Sequence, residues 1–181
     1  MRRVMIIGQP GSGKSTLARQ VAEIAHLPLI HADQLHWTAG WIERHQTEKI
    51  PLFTEAAQRP AWVFEGNHSR TAQHRVDRAD TVIWIDLPVG LRLWRIGKRI
   101  LRWYGRTRPD LPAGCPEQLS AEFLRYVWTT RGTGRQSCLD AMALTRPGQA
   151  VHHLRSRRQV AGYLAALRKA AARGNLGISH R

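Results

Sequence analysis

The stretch GQPGSGKST at residues 8–16 follows the apolar run RVMII at residues 3–7 and leads into LARQVAEIAH at residues 17–26. It fills the pattern G-x-x-x-x-G-K-[ST], ending on Lys14 and Ser15, between a predicted strand and a predicted helix. Glycines allow backbone amides to turn inward around a polyphosphate, and the N-terminus of the following helix adds partial positive charge. An ordinary glycine-rich turn is the alternative, but motif and context together favour a phosphate-binding loop.

The loop predicts specific contacts with a nucleotide. Lys14 is expected to bridge the β and γ phosphates, and the Ser15 hydroxyl is expected to bind Mg²⁺, so ATP and Mg²⁺ are the predicted cofactors. The residues of the loop predicted to bind the nucleotide are Gly8, Pro10, Gly11, Ser12, Gly13, Lys14, Ser15 and Thr16.

Periodicity along the rest of the chain predicts an α/β fold. Apolar runs predict strands at residues 3–7, 29–31, 61–65, 80–86 and 150–154, and helical spacing predicts helices at residues 14–25, 47–59, 89–104, 136–144 and 156–171. A further helix is expected to begin near residue 117, and the sequence RGTGR at residues 131–135 is expected to separate it from the next helix. Alternation of strands and helices predicts a parallel sheet with helices on both faces.

We predict one domain over residues 1–181, because this length suits a single α/β core. The sequence GRTRPDLPAGCPEQ, at residues 105–118, is interrupted by glycines and prolines and predicts a loop or lid rather than a linker. The C-terminal tail, residues 174–181, is expected to fray. No apolar run reaches membrane-spanning length and no signal-peptide pattern opens the chain, so a cytoplasmic protein is expected.

The formal net charge is +15, and only four of the 28 basic residues are lysine, which leaves 24 arginines. Ten basic residues lie between residues 91 and 135, against three acids. Such a charge is compatible with nucleic acid, with a phosphate-rich ligand, or with a genome that favours arginine codons. Charge alone therefore leaves the class of partner open.

Missing motifs narrow the class of nucleotide-binding protein. Neither Asn67 nor Asn175 is followed by lysine, so the N-K-x-D element of guanine-binding GTPases is missing, and no LSGGQ-like segment indicates a transporter ATPase. The chain is also short for a helicase or a motor ATPase. A small kinase remains the favoured class.

Four ordered segments carry a resemblance to a known family: GQPGSGKSTLA, LIHADQLHW, WVFEGNHSR and DTVIWIDLPVGLRLWRIGKR. Together they resemble the adenylate-kinase-like P-loop kinases, and most closely the relatives known as DNA topology modulation proteins. The resemblance is good over residues 3–99 and weaker towards the last strand and helix. It implies a five-stranded parallel sheet, an acceptor-binding side and a mobile, arginine-rich lid.

The resemblance also implies residue roles on the acceptor side. Asp33 corresponds to an acceptor-contacting aspartate, which would orient or deprotonate a hydroxyl; a helix cap is its alternative role. Glu65 would hold a magnesium-bound water, and Arg70 would contact the acceptor. Asp86, at the end of another apolar strand, is the competing magnesium-site acid. Gly66 and His68, in the loop after Glu65, are further predicted acceptor contacts.

On the donor side, Arg95 and Arg99 share one face of the predicted helix after Pro88. The family spacing implies that Arg95 stacks on adenine and that Arg99 stabilises the transferring phosphoryl group. Arg155 corresponds to the adenine-side loop, and Arg131 and Arg135 are further candidates for phosphate contacts. Neighbouring cations on this helix, Arg92 among them, are expected to face solvent.

The predicted function is an ATP- and Mg²⁺-dependent kinase that transfers a phosphoryl group to a hydroxyl or phosphate group. The predicted acceptor molecule is a nucleoside or nucleotide. The alternative is a nucleic-acid-binding regulatory protein that uses the loop only to sense a nucleotide, an idea supported by the charge of +15. Nucleic acid is therefore a possible but not favoured partner, and no membrane contact is expected. The sequence leaves the acceptor and the oligomeric state open.

Overall fold

The structure is a computed structural model that describes residues 1–174, so the predicted frayed tail lies outside the described residues except for Gly174. No helix within this range is long and apolar enough to cross a bilayer. The strands are β1 (Arg3–Gly8), β2 (Leu29–His31), β3 (Trp37–Thr38), β4 (Ile42–Glu43), β5 (Trp62–Glu65), β6 (Thr81–Ile85) and β7 (Ala150–Leu154). The helices are α1 (Lys14–Ala25), α2 (Ala32–His36), α3 (Gln46–Gln58), α4 (Ala72–Arg78), α5 (Val89–Trp103), α6 (Ala121–Thr129), α7 (Arg131–Ala143) and α8 (Arg157–Ala172).

Five strands form a parallel sheet in the order β2-β5-β1-β6-β7, which confirms the predicted fold class. Successive side chains of β1 alternate between two apolar clusters. Val4 and Ile6 belong to the cluster that includes α1 and α8, whereas Met5 and Ile7 belong to the cluster that includes α3, α4 and α7. The sheet is therefore covered on both faces, as its continuous apolar strands require.

The parallel register brings the predicted site residues to one edge of the sheet. Ile6 of β1 pairs with Glu65, the last residue of β5, and Gly8 pairs with Ile85, the last residue of β6. In open parallel sheets ligands bind outside the carboxyl ends of the strands. The phosphate-binding loop, Glu65 and Asp86 consequently meet at this edge.

Several predicted boundaries were wrong. The sequence RGTGR is helical and opens α7, where the side chain of Gln9 donates to the carbonyls of Thr130 and Arg131 at 3.4 and 2.9 Å. The preceding helix begins at Ala121 rather than near residue 117, because the Ser120 hydroxyl caps it by accepting from the Phe123 amide at 3.1 Å. Sequence reasoning also missed α2, α4 and the small antiparallel pair β3–β4.

The predicted lid, residues 105–118, packs against the segment that contains α2 and β3. Gln34 Nε2 donates to the Pro109 carbonyl at 3.0 Å, and the Trp41 indole donates to the Pro116 carbonyl at 3.0 Å. The amide of Gly40 donates to the carbonyl of Gly114 at 2.8 Å. These contacts hold the segment over the acceptor side of the predicted site.

Two glycines with the same backbone angle provide a test of how closely α5 approaches the loop. Gly11 and Gly40 both have a φ of +78°, but a Cβ on Gly11 would lie 2.5 Å from the Arg92 carbonyl oxygen, whereas a Cβ on Gly40 would meet nothing within 4 Å. We expect Gly40→Ala to cost about 1–2 kcal/mol, the strain of a left-handed alanine. Gly11→Ala should cost clearly more, because α5 must also move. Urea denaturation of both variants measures the difference, and equal losses would contradict the close approach.

Candidate active site

The phosphate-binding loop connects β1 to α1 and leaves Lys14 available to a ligand. Gly13 precedes the helix with a φ of +94°, and the Ser12 amide closes the loop by donating to the Gln9 carbonyl at 3.1 Å. Lys14 is partly exposed and its ammonium has no hydrogen bond or ion pair with any described residue. A cation at the start of a helix, beside inward-facing amides, is suited to bind a polyphosphate.

Two arginines of α5 hold the loop from the side. Arg92 Nη1 donates to the Pro10 carbonyl at 3.2 Å, and Arg95 Nη1 donates to the Ser12 carbonyl at 2.6 Å. The expectation that Arg92 faces solvent was wrong, since only 2% of this residue is exposed. Both guanidiniums satisfy carbonyls of the loop, and burial lowers the pKa of each. The predicted stacking of Arg95 on adenine stays a prediction.

Asp33 lies in the first turn of α2 and interacts electrostatically with the predicted phosphoryl-transfer residues. Lys14, Glu65 and Arg108 all act on the Asp33 carboxylate. Burial of the carboxylate raises the pKa of Asp33 most strongly, and the charge of Lys14 opposes this shift. A carboxylate with a raised pKa is a better proton acceptor than an ordinary aspartate. The pairing of His31 with Glu65 places Asp33, two residues later, near the end of β5, where the charges of Lys14 and Glu65 act on its carboxylate.

Glu65 ends β5 as a buried carboxylate with one engaged and one unengaged oxygen. Its Oε1 lies 2.7 Å from His31 Nδ1, while Oε2 is buried without a hydrogen-bond partner among the described residues. A magnesium-bound water could donate to this oxygen, and Ser15 would supply a direct oxygen ligand. Among residues 1–174 no group of three or more His, Cys, Asp or Glu side chains could enclose a metal ion. Ser15 and the unpartnered oxygen of Glu65 fit Mg²⁺ bound mainly through substrate phosphates and water, as this ion usually is.

Asp86, the competing magnesium-site acid, already has protein partners for its carboxylate. Arg135 Nε lies 3.3 and 3.1 Å from the two oxygens, and His153 Nε2 lies 3.1 Å from Oδ2. His153 in turn stacks on Trp84, with ring centroids 4.0 Å apart. The Asp86 carboxylate is therefore engaged by two side chains at the end of β6, whereas Glu65 has one oxygen without a partner among the described residues.

An open pocket of about 420 Å³ lies beside the loop at the carboxyl end of β6. Its polar lining is Gln9, Asp86, Arg92, Arg131, Arg135 and Arg155. The predicted adenine-side residue Arg155 and both candidate phosphate contacts on α7 thus line one cavity next to the loop. A pocket with four arginines and a single carboxylate is suited to an anionic ligand such as a nucleotide.

The loop after β5 is fixed by a buried arginine that sequence reasoning missed. Arg75 is fully buried and donates to the Gly66 carbonyl at 2.8 Å and to the His68 carbonyl at 3.0 Å. Burial lowers the pKa of Arg75 to about 9. A Cβ on Gly66 would lie 2.4 Å from the Ala32 Cβ, so only glycine allows this loop to pass beside Asp33. Only the helical spacing of residues 72–78 could have indicated Arg75.

The side chain of His68, a predicted acceptor contact, is engaged within the protein. Its ring nitrogens lie 3.0 Å from Thr71 Oγ1 and 3.2 Å from Gln46 Oε1, and the ring stacks on Phe53. Burial lowers the pKa of His68 to about 4, so the ring is neutral near pH 7. Arg70, the other predicted contact, is exposed.

Arg99 is directed towards the lid rather than the loop. Its Nη2 donates to Glu117 Oε1 at 3.0 Å, and the same carboxylate contacts Arg108 Nε at 2.7 Å. Arg108 also contacts Asp110 at 2.6 Å. The predicted role of Arg99 requires its guanidinium to face the transferring phosphoryl group. In the structure this guanidinium instead pairs with buried Glu117, which neutralises its charge. Arg108, which sequence reasoning did not select, is the lid arginine that interacts with Asp33.

The chain is similar to nucleotide-binding proteins of known structure. The sequence model described as "ATPase family associated with various cellular activities (AAA)" matches residues 4–86, which include the loop and Glu65. No curated protein matches the chain. A shikimate kinase from Acinetobacter baumannii, in complex with shikimate, is 15% identical with a TM-score of 0.55, over 97% of this chain and 96% of the other.

Two further structures have the same architecture. A shikimate kinase from Bacteroides thetaiotaomicron is 16% identical with a TM-score of 0.56, over 94% of this chain and 98% of the other. A gluconokinase from Sinorhizobium meliloti 1021 is 15% identical with a TM-score of 0.50, over 96% and 93% of the two chains. These likenesses establish the fold, which is the P-loop kinase fold seen in shikimate kinases.

The neutral ring of His68 predicts a pH dependence of stability. Its pKa of about 4 in the folded protein lies below the ordinary value of 6.5, so the unfolded chain binds the extra proton first as pH falls. The contribution of the neutral His68 ring to the free energy of unfolding is therefore complete above pH 6.5. It is lost as pH falls from 6.5 to about 4. We expect His68→Gln to reduce the slope of unfolding free energy against pH in this window, by up to about 1.4 kcal/mol per pH unit. Parallel slopes in urea titrations of both proteins would contradict the assignment.

Proposed function

We propose that the protein is an ATP- and Mg²⁺-dependent kinase that transfers the γ-phosphoryl group to a small-molecule acceptor. The observation that carries this proposal is the placement of a cation and a carboxylate near each other, without an ion pair between them, at the edge of the sheet. The loop ammonium of Lys14 interacts with the Asp33 carboxylate, which burial makes more basic. Phosphoryl transfer needs a cation at the phosphates and a group that positions the acceptor, and catalysis consists mainly of this positioning and charge stabilisation.

On the donor side, ATP would place its phosphates in the loop and its nucleoside towards the pocket lined by Arg131, Arg135 and Arg155. Ser15 would bind Mg²⁺, and the unengaged oxygen of Glu65 would accept from a water of that ion. When bound, Mg²⁺ neutralises charge that develops between the β and γ phosphates. Arg95 contributes by fixing the Ser12 carbonyl and hence the turn of the loop.

On the acceptor side, a hydroxyl oxygen would attack the γ-phosphorus while the bond to the leaving oxygen of ADP breaks. The hydroxyl proton passes to the Asp33 carboxylate, and the products are ADP and a phosphate ester. Arg108 is the lid cation whose charge acts on the Asp33 carboxylate, and it would have to leave its ion pairs with Asp110 and Glu117 in order to stabilise the transferring charge. Arg99 would support Arg108 through the Glu117 carboxylate that both arginines share.

We propose a nucleoside or nucleotide as the acceptor. Trp37 and Trp41 follow Asp33 on the acceptor side, and both residues are partly exposed. Their rings pack edge to face, with ring centroids 5.6 Å apart. Aromatic rings of this kind can stack on a base. The exposed guanidinium of Arg70 could pair with the phosphate of a nucleotide acceptor. Non-aromatic hydroxyl compounds, the acceptors named for the structurally similar shikimate kinases and gluconokinase, are the competing class.

The decisive experiment incubates the protein with Mg-ATP and a panel of nucleosides, nucleotides, sugars and hydroxylated acids, and detects the phosphorylated acceptor by mass spectrometry. Lys14→Ala, which removes only a partly exposed ammonium, is the matched inactive control. A product formed by the wild-type protein alone supports the kinase. ATP binding without any phosphorylated acceptor would instead favour a nucleotide sensor.

Asp33→Asn should distinguish a role in acceptor activation from a role in ATP binding. We expect turnover to fall about 10²- to 10⁴-fold, the usual contribution of a positioned base, while affinity for ATP stays nearly constant. Titration with a fluorescent ATP analogue, beside the kinetic assay, measures both effects. Equal losses of affinity and turnover would remove Asp33 from the acceptor side.

Glu65→Gln and Asp86→Asn should distinguish the two candidate magnesium-site acids. We expect Glu65→Gln to raise the Mg²⁺ concentration needed for half-maximal turnover, because the amide no longer holds the magnesium-bound water as a carboxylate would. Asp86→Asn should mainly affect nucleotide binding, since it releases His153 and also Arg135, which lines the pocket. A Mg²⁺ requirement shifted only by Asp86→Asn would reverse the assignment.

A further inference from the structure

An apolar groove of about 440 Å³ lies between α5 and α6, away from the residues assigned to catalysis. Gly97 forms part of its floor, and a Cβ built on this glycine would meet no atom within 4 Å. The other lining residues are Leu93, Ile100, Leu119, Leu124 and Trp128. The groove is therefore a depression on a helical surface that a side chain from outside could enter.

The surface around the groove is unusually apolar. Of the eight large apolar side chains that are exposed in the described chain, six lie between residues 94 and 128. Leu101 and Leu119 are 84% and 67% exposed, and Trp94 and Trp128 are about half exposed. Contiguous apolar surface of this kind usually marks an interaction site.

The same surface is strongly cationic. The exposed basic residues here, apart from Arg131 of the nucleotide pocket, are Lys98, Arg102, Arg106 and Arg125. Glu122 is the one exposed acid between residues 94 and 131, because Asp110 and Glu117 are buried against arginines. The groove thus combines an apolar floor with a rim of positive charge.

We propose that this groove binds an amphipathic helix of a partner protein, with apolar anchors spaced i, i+3 or i+4, and i+7, and with acidic flanks. The apolar anchors would fill the depression over Gly97, and the acidic residues would pair with the cationic rim. This is the helix-in-groove mode of recognition, in which the groove supplies affinity and the rim charges supply orientation and association rate.

Other occupants match the groove less well. A second copy of the chain would bring two cationic rims together. Single-stranded nucleic acid matches the charge, but four of the six lining residues are aliphatic and one is glycine, so Trp128 is the one residue of the lining that could stack on a base. A lipid surface is flat, whereas the groove between the two helices has a volume of about 440 Å³.

The test selects ligands for the whole protein from a displayed library of random segments of about 16 residues, roughly four helical turns. Gly97→Glu serves for counter-selection, because its carboxylate would occupy the floor. Gly162→Glu is the matched control: Gly162 is also exposed on a helix, α8, and its Cβ would likewise meet nothing within 4 Å.

We expect the enriched segments to have the anchor spacing and acidic flanks described above. A synthetic segment should bind the wild-type protein and Gly162→Glu equally, and Gly97→Glu at least about tenfold more weakly. Combined Arg102→Glu and Arg125→Glu substitutions should slow association and flatten its dependence on salt. Leu119→Glu, at an exposed rim position, provides the same test if thermal melting shows that Gly97→Glu does not fold.

Several results would overturn the proposal. One is a selection in which no segment distinguishes the wild-type protein from Gly97→Glu, and another is enrichment of segments without acidic residues. Self-association that is lost in Gly97→Glu would assign the groove to a second copy. Loss of binding to single-stranded DNA, or to vesicles containing phosphatidylserine, in the same variant would assign it to those ligands. None of these measurements depends on turnover, so the proposal stands or falls independently of the kinase activity.

Discussion

The parallel register of β5, β1 and β6 is the constraint on which the site depends. Ile6 pairs with Glu65 and Gly8 pairs with Ile85, so the loop begins where two neighbouring strands end. Asn67 then ties the loops together, because its Oδ1 accepts from the Gly8 amide at 3.1 Å. A shift of one residue in β5 would exchange the buried and outward faces of the strand and remove Glu65 from the edge. The register of backbone pairing therefore determines where the residues of the site lie.

The arginine content serves several separate purposes in this fold. Arg75, Arg92 and Arg95 donate to carbonyls of loops, where a planar guanidinium can reach groups that a lysine ammonium would satisfy less well. Arg99 and Arg108 are neutralised by two buried acids of the lid, Glu117 and Asp110. A net charge of +15 thus does not describe one surface, and it gives weak support to a nucleic-acid function by itself.

The sequence was sufficient to predict the parallel sheet and the phosphate-binding loop, because both follow from local patterns. Asp33 and Glu65 were selected through the family resemblance, and the pairing of β2 with β5 brings the segments that carry them to one edge. The sequence was insufficient for Arg75 and Glu117, whose partners are set by tertiary packing. The helical conformation of RGTGR was missed for the same reason: Gln9, more than 120 positions earlier, donates to the carbonyls at the start of α7. The low helix propensity of the two glycines in this segment argues against a helix there.

Helix α5 contributes residues to both of the ligand sites proposed above. Arg92 and Arg95 hold the phosphate-binding loop from this helix, while Gly97 opens the groove on a neighbouring face. Hydrogen bonds from a charged donor contribute about 1.5–3 kcal/mol each, so releasing both arginines from the loop would cost roughly 3–6 kcal/mol. A micromolar partner binds with about 8 kcal/mol in total. A ligand shifts an equilibrium only by the difference in its affinity for the two states. Displacement of α5 would therefore consume roughly a third to three quarters of the binding energy of such a partner. Occupation of the groove is expected to adjust the loop rather than to dismantle it.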